Sequence, residues 1–176
     1  MELIRFKRKN IRDVLSWIDN ESQMVQWAGP ILSWPLTQKQ FRKHLEMAKP
    51  QLPTLHPFGL YHRSEIIGYC ELWGHHRRSN SAMASRIIIS PRKRNKGFGQ
   101  FMLMKLLEFG FDKIDLNRIG LAVFDFNKPA VKCYKNAGFV LEGTLRQSAR
   151  VDGSYWDCHL MGILRQEWNS QKPCGG

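Results

Sequence analysis

The stretch Arg94-Asn95-Lys96-Gly97-Phe98-Gly99 joins two strongly apolar segments, and this arrangement decides the fold of the chain. Residues 83–89 before it end in the continuous apolar run Ile87-Ile88-Ile89, which indicates a strand. Residues 97–113 are densely apolar over a length that indicates a buried helix rather than a strand. The chain therefore passes from a strand through a basic, glycine-containing loop into a buried helix.

Such a junction predicts a site for phosphate oxygens. The first backbone N–H groups of a helix have no partners within the helix, and they lie at the positive end of its dipole. Gly97 and Gly99 have no Cβ, so an anion can approach the backbone closely. The same turn is surrounded by four basic residues, Arg92, Lys93, Arg94 and Lys96. The stretch has neither the GxxxxGK[ST] spacing of a P-loop nor a GxGxxG motif in a first βαβ unit.

The remaining elements are predicted from apolar periodicity and turn residues. A first helix is capped by Asn10, a loop with Gly29-Pro30 follows, and Thr37 with Gln40 fits a capping box for a second helix. Asp152-Gly153 is a two-residue hairpin signal. Further strands are expected at residues 2–8, 58–62, 66–73, 118–124, 139–150 and 154–164, with a last helix at 128–137. No linker or repeat divides the chain.

The composition fits one cytoplasmic domain. The chain has 176 residues, of which 43% are hydrophobic and 24% charged, enough for a substantial core. No apolar run reaches the roughly 18 residues that span a bilayer, and the first residues lack the layout of a signal peptide. No membrane partner is therefore expected. The net charge of +12 favours an anionic ligand, nucleic acid or a membrane surface, but alone it does not choose among them.

The cysteines do not indicate a disulfide framework or a metal site. Cys70, Cys133, Cys158 and Cys174 form no CxxC pair, and no histidine stands at zinc-ligand spacing from them. They are expected to be buried or inert thiols. The pair His75-His76 lies in a basic polar stretch that indicates a solvated turn. No bound metal is expected.

Three motifs in the sequence resemble those of a known family. Residues 94–99 match the acetyl-CoA signature (Q/R)xxGx(G/A) of the GNAT superfamily of N-acetyltransferases. Residues 127–139 are similar to its second motif, N-x-x-A-x-x-x-Y-x-x-x-G-F. Residues 142–146 and 152–157 look like the RimJ/RimL-type branch. The motifs keep their order over residues 66–168, more than half of the chain.

The resemblance implies a fold and an activity. The expected fold is the GNAT fold of the α/β (α+β) class, with a central mixed, mostly antiparallel sheet of six to seven strands and about four flanking helices. One domain would cover residues 1–176, with residues 169–176 as a flexible C-terminal tail. The expected enzyme is an acyltransferase that moves acetyl from acetyl-CoA to a primary amine, directly, in a ternary complex.

The resemblance also implies which residues bind the cofactor. The main chain of Ile87, Ile88 and Ile89 would pair with the pantetheine arm, and Asn127 would contact the cofactor. The diphosphate would be held by Arg94, Asn95, Lys96, Gly97, Phe98 and Gly99. Tyr134, about two helical turns after Asn127 and therefore on the same face, would also contact the cofactor and protonate the departing thiolate.

The catalytic base is where the sequence departs from the family pattern. Many members carry a glutamate near the start of the strand before the signature, but residues 83–86 contain no carboxylate. Glu71, on the neighbouring strand, is the nearest candidate, and it could instead bind substrate or face solvent. Trp27, Trp34 and Tyr155 lie in or beside predicted loops and are candidates for the acceptor-binding wall, although core packing would explain them equally well.

Several acceptors remain open. The branch resemblance implies the α-amine of a protein N-terminus, for example a ribosomal protein, which would be the only route to contact with nucleic acid. A missing base agrees with this, because an α-amino group is easier to deprotonate than a lysine-like amine. The alternatives are small amines (polyamines, aminoglycosides or amino-sugars) and a non-catalytic CoA- or nucleic-acid-binding module. The net charge of +12 argues against a polycationic acceptor unless the pocket is acidic. A homodimer is compatible with each of these alternative functions.

Overall fold

A seven-stranded sheet forms the centre of the computed structural model, which describes residues 1–48, 51 and 53–171. The strands are β1 (Glu2–Arg5), β2 (Leu55–His62), β3 (Glu65–His76), β4 (Ser81–Ile89), β5 (Arg118–Phe124), β6 (Val140–Val151) and β7 (Ser154–Leu164). Their order in the sheet is β1-β2-β3-β4-β5-β7-β6. All neighbouring strands are antiparallel except β4 and β5, which are parallel. The sheet is therefore mixed and mostly antiparallel, as expected.

Six helices pack on this sheet. They are α1 (Ile11–Leu15), α2 (Glu21–Ala28), α3 (Gln38–His44), α4 (Phe98–Glu108), α5 (Lys128–Asn136) and α6 (Arg165–Gln171). Helix α4 continues into a π-helical turn over Phe109–Lys113, so the predicted apolar helix at 97–113 is confirmed with a widened end. The described part of the chain has six α-helices, whereas about four were expected. The class is α/β, and the architecture is the one that the resemblance implied.

Successive side chains of β3 point to opposite faces of the sheet and supply two apolar clusters. Cys70 and Leu72 pack with the buried face of α4, whereas Tyr69 packs with the cluster formed by α1, α2 and α3. All three side chains are completely buried. Burial of one large apolar side chain contributes roughly 1.5–3 kcal/mol. The period of two along the strand therefore fixes which helices cover which face.

The N-terminal region differs most from the sequence-based expectation. Helix α2 occupies residues where a loop was predicted, and its N-cap Asn20 accepts a hydrogen bond from the backbone N–H of Gln23 at 2.9 Å. The predicted cap at Thr37 is confirmed, with its Oγ1 accepting from the N–H of Gln40 at 3.2 Å. At the other end, residues 169–171 belong to α6 rather than to the predicted tail. Residues 172–176 lie outside the described residues.

A buried histidine pair crosses β2 and β3, which corrects the prediction of a solvated turn at His75. His56 is 3% exposed, and its Nε2 lies 3.2 Å from Nδ1 of His75. The guanidinium of Arg5 can only donate, so at 3.3 Å from it Nδ1 of His56 acts as the acceptor. Burial, followed by the nearby positive charge of Arg5, lowers the pKa of His56 to about 4.

This pair predicts acid sensitivity. Because the folded pKa of His56 lies below the unfolded value of about 6.5, the unfolded chain binds more protons between about pH 6.5 and about pH 4. Stability should therefore be lost as the pH falls through this window. In thermal unfolding, His56→Gln should flatten the dependence of Tm on pH. His76→Gln, at an exposed position beside His75 on β3, should retain it. An equally steep loss in His56→Gln would contradict the assignment.

Candidate active site

A cleft opens where β4 and β5 separate. The two strands pair over only three positions, Ser81 with Arg118, Ala82 with Ile119 and Met83 with Gly120. Beyond them β5 continues along β7, and the edge of β4 that faces β5 loses its partner strand. Main-chain groups of residues 87–89 can therefore pair with an extended ligand laid along this edge.

The structure brings most predicted cofactor residues to this cleft. A cavity of about 220 Å³ lies between β4, the start of α4 and α5. It is lined by Ile87, Ile88, Ile89, Lys93, Arg94, Asn95, Phe98, Gly99, Leu103, Pro129, Ala130, Cys133 and Tyr134. Lys96 and Gly97 belong to the same turn but do not line the cavity.

The turn before α4 is open to an anion. Gly97 adopts the left-handed region, with φ of 78°, and no side chain caps the helix after it. A Cβ at Gly97 would meet no atom within 4 Å, and one at Gly99 would meet only Ile89 Cγ1, at 3.8 Å. Arg94 holds the turn against β4 by donating from Nε to the carbonyl of Ile89 at 3.2 Å. Free N–H groups, basic side chains and apolar walls fit the diphosphate and the arm of a CoA molecule.

Tyr134 lies on α5 and lines this cavity, whereas Asn127, the N-cap of α5, lines the adjoining cavity described below. Asn127 caps this helix, with Oδ1 accepting from the N–H of Ala130 at 3.3 Å, so one of its polar atoms is already engaged. Tyr134 is 9% exposed, and its ring packs edge-on against Phe139 at 6.0 Å. Burial raises the pKa of the Tyr134 phenol above its usual value. The hydroxyl therefore stays protonated, which suits a proton donor and not a base.

A second cavity, of about 410 Å³, adjoins the first and shares residues 87–89 with it. Helix α2 and the residues before it supply its far wall, which consists of Trp17, Ile18, Gln23, Gln26 and Trp27. Among the described residues that line this cavity, none carries a carboxylate, and Arg94 is the one with a charged side chain. The wall is thus neutral and partly aromatic, a surface suited to an acceptor.

The predicted acceptor residues separate in the structure. Trp27 lines the second cavity, whereas Trp34 and Tyr155 do not, and these two are 38% and 57% exposed. Sequence reasoning missed Gln23 and Gln26 because their region was taken as a loop, and it assigned Trp17 to the first predicted helix and not to the site. The signal was present in Asn20, a capping residue placed three positions before Gln23.

Glu71 does not face the cleft. It is completely buried, and its carboxylate accepts hydrogen bonds from three side chains. These are the Tyr69 hydroxyl, His44 Nε2 at 2.9 Å and Arg86 Nη1 at 2.7 Å. A carboxylate with three donors is poorly placed to accept a proton from a substrate amine. The geometry favours a structural role over the predicted roles as base or substrate ligand.

The described cysteines, Cys70, Cys133 and Cys158, are free thiols. Burial raises the pKa of each of them. Cys174 lies outside the described residues. Within residues 1–48, 51 and 53–171 no three histidine, cysteine, aspartate or glutamate side chains are grouped closely enough to hold a metal ion. No helix in the described part of the chain is long and apolar enough to cross a membrane.

Fold and cleft define an acyltransferase. Residues 22–139 match the model of the acetyltransferase (GNAT) family. The chain therefore belongs to the GNAT family, and acetyl-CoA is its acetyl donor.

Similar proteins act on different amines. The chain is 27% identical over 169 residues to the spermidine N(1)-acetyltransferase of Vibrio cholerae, a match that covers 96% of this chain and 95% of that protein. It is 31% identical over 102 residues to the L-amino acid N-acetyltransferase AaaT of Escherichia coli, covering 57% of this chain and 63% of that protein. The crystal structure of the Vibrio cholerae spermidine N-acetyltransferase with CoA and spermine superposes with a TM-score of 0.83 at 24% identity, covering 96% and 97% of the two chains. At that identity the superposition shows the fold.

Proposed function

We propose that this protein transfers the acetyl group of acetyl-CoA directly to a primary amine, either of a polyamine or at an α-amino position. The observation that carries the proposal is that two cavities meet at residues 87–89. One is bounded by the signature turn and Tyr134, and the other by the neutral wall of α2. Donor and acceptor can therefore approach each other from opposite sides in one ternary complex.

Each part of the cleft has a separate task in this reaction. When acetyl-CoA is bound, its thioester supplies the activated acetyl group. The N–H groups at the start of α4, together with Lys93 and Arg94, hold the diphosphate. The free edge of β4 aligns the arm. The amine nitrogen forms a bond to the acetyl carbon as the carbon–sulfur bond breaks, and the Tyr134 hydroxyl donates a proton to the departing sulfur. The proton that the nitrogen loses passes through water and restores the Tyr134 hydroxyl.

Two acceptor classes have support. A polyamine is supported by the spermidine N(1)-acetyltransferase that matches nearly the whole chain. An α-amine, of an amino acid or of a peptide N-terminus as in the RimJ/RimL-type branch, is supported by the wall without carboxylates. Deprotonation near neutral pH takes roughly 4 kcal/mol for a lysine-like amine but under about 1 kcal/mol for the α-amine of a peptide N-terminus. A site without a free base therefore favours the α-amine.

A thiol-release assay with a panel of amines tests the proposal. The panel contains spermidine, L-amino acids, a dipeptide, a peptide with a free N-terminus and an aminoglycoside. We expect release of CoA with at least one primary amine, together with a gain of one acetyl group in the acceptor by mass spectrometry. The same acceptor with its amine blocked should give no release. Tight binding of acetyl-CoA without release on any amine would instead support a non-catalytic module.

A further inference from the structure

Arg86 has a backbone conformation that arginine rarely adopts. Its φ is 48°, in the left-handed region that disfavours residues with a Cβ. Tyr69 faces Ile88 and Glu71 faces Ser85, so Arg86 and Ile87 together oppose Cys70 in a β-bulge. The bulge lies shortly after β4 loses its pairing with β5, directly before the cleft residues 87–89.

Contacts of the Arg86 side chain stabilise this backbone conformation. Arg86 is 4% exposed, and its Nη1 donates to the carboxylate of Glu71 at 2.7 Å. His44 on α3 and Tyr69 on β3 donate to the same carboxylate. The carboxylate is thus fixed by two other side chains, one on α3 and one on its own strand, and can in turn fix the guanidinium. A buried ion pair adds little net stability compared with apolar packing, so a role in positioning accounts for it better.

A hydrogen bond to the main chain of Arg86 also stabilises the bulge. Trp27 on α2 donates from Nε1 to the carbonyl oxygen of Arg86 at 2.9 Å. This carbonyl therefore points toward α2 and not into the ladder with β3. Because Trp27 also lines the acceptor cavity, the helix that forms the acceptor wall is tied to the strand that forms the donor edge.

We propose that Arg86 is a positioning residue for acetyl transfer, acting through the bulge that Glu71 and Trp27 hold in place. The bulge sets the direction of the backbone N–H groups at residues 87–89. Backbone N–H donors stabilise the charge that develops during acyl transfer only when they point at the atom that carries it. A displacement of about 1 Å can lower the rate about 100-fold. The proposal rests on the cleft assigned above.

Two variants test it. Glu71→Gln with Arg86→Gln removes both charges, so no buried charge is left unpaired. Trp27→Phe removes the hydrogen bond to the bulge, together with one ring of the indole, and keeps an aromatic ring at this position. We expect kcat to fall about tenfold in the first and several-fold in the second, with KM for acetyl-CoA within about threefold of wild type. The triple variant should be no worse than the stronger of the two, since both act on one element. In cofactor-free protein, the amide resonances of residues 87–89 should shift in both.

The matched control is Arg118→Gln with Glu142→Gln, which neutralises an ion pair of β5 and β6 outside the residues that line the cleft. It should leave kcat and the amide resonances unchanged. Folded variants with wild-type kcat and unshifted resonances, altered only in Tm, would overturn the positioning role. If the double variant does not fold, the same result for Trp27→Phe alone overturns it. Wild-type protein that releases no CoA with any amine would overturn the proposed function. The amide resonances of residues 87–89 would still show whether these side chains hold the bulge in place.

Discussion

Gly97→Asp should weaken acetyl-CoA binding at least about 100-fold in titration calorimetry. A hydrogen bond to a charged group contributes about 1.5–3 kcal/mol, and the loss of two such bonds corresponds to a factor of about 100 or more. The new carboxylate would also stand beside the diphosphate and repel it. A Cβ at Gly97 meets nothing within 4 Å, so the substitution creates no clash in the protein itself. The positive φ of Gly97 makes a side chain there strained and lowers stability somewhat, so affinity is measured on the folded variant.

The chain offers a close control for the strain of this substitution. Gly153, in the turn between β6 and β7, has φ of 79° against 78° for Gly97, and its Cβ would also meet nothing within 4 Å. Gly153→Asp therefore introduces the same side chain in the same backbone conformation, away from the signature turn. It should bind acetyl-CoA like the wild type. Unchanged affinity in Gly97→Asp would refute the diphosphate site.

Tyr134→Phe should lower kcat at least about tenfold with little change in affinity for CoA, because a positioned acid contributes roughly 100-fold or more to such a step. The ring stays, so its packing against Phe139 and the wall of the cavity are retained. The hydroxyl is lost, and water must supply the proton to the sulfur. Steady-state kinetics combined with calorimetry separates the two quantities.

Tyr61→Phe is the corresponding control. Tyr61 is also largely buried, at 8% exposure, but its hydroxyl donates to Asn10 Oδ1 and it does not line either cavity of the cleft. This variant should keep the wild-type kcat. A wild-type turnover number in Tyr134→Phe would make Tyr134 a core residue without a role in proton transfer.

The sequence predicted those parts of the fold that depend on local pattern. The strands Arg118–Phe124 and Ser154–Leu164 lie where alternation and the Asp152-Gly153 turn indicate them. The long apolar segment of α4 was predictable because its length excludes a strand. Helix α2 was not predicted, since only Met24, Trp27 and Ala28 of its eight residues are buried and its apolar stripe is short.

The candidate site was predictable on the donor side and much less on the acceptor side. Donor residues come from one continuous stretch and one short helix, so their spacing along the chain reveals them. Two of the three partners of Glu71 lie 27 and 15 positions away on different elements, at His44 and Arg86. No local sequence pattern predicts such a cluster of side chains. Exposed aromatics such as Tyr155 carry equally little information about which cavity they line.

The separation of β4 from β5 has an evolutionary consequence. The donor half of the cleft is built from strand edges and helix starts in the middle of the chain, and the opposite wall comes from α2 and the residues just before it. Substitutions in that wall can thus change which amine is accepted without rebuilding the machinery that delivers the acyl group. Trp27 is the exception, because it touches both halves. Divergence of substrate preference should therefore be freest around Gln23 and Gln26 and most restricted at this tryptophan.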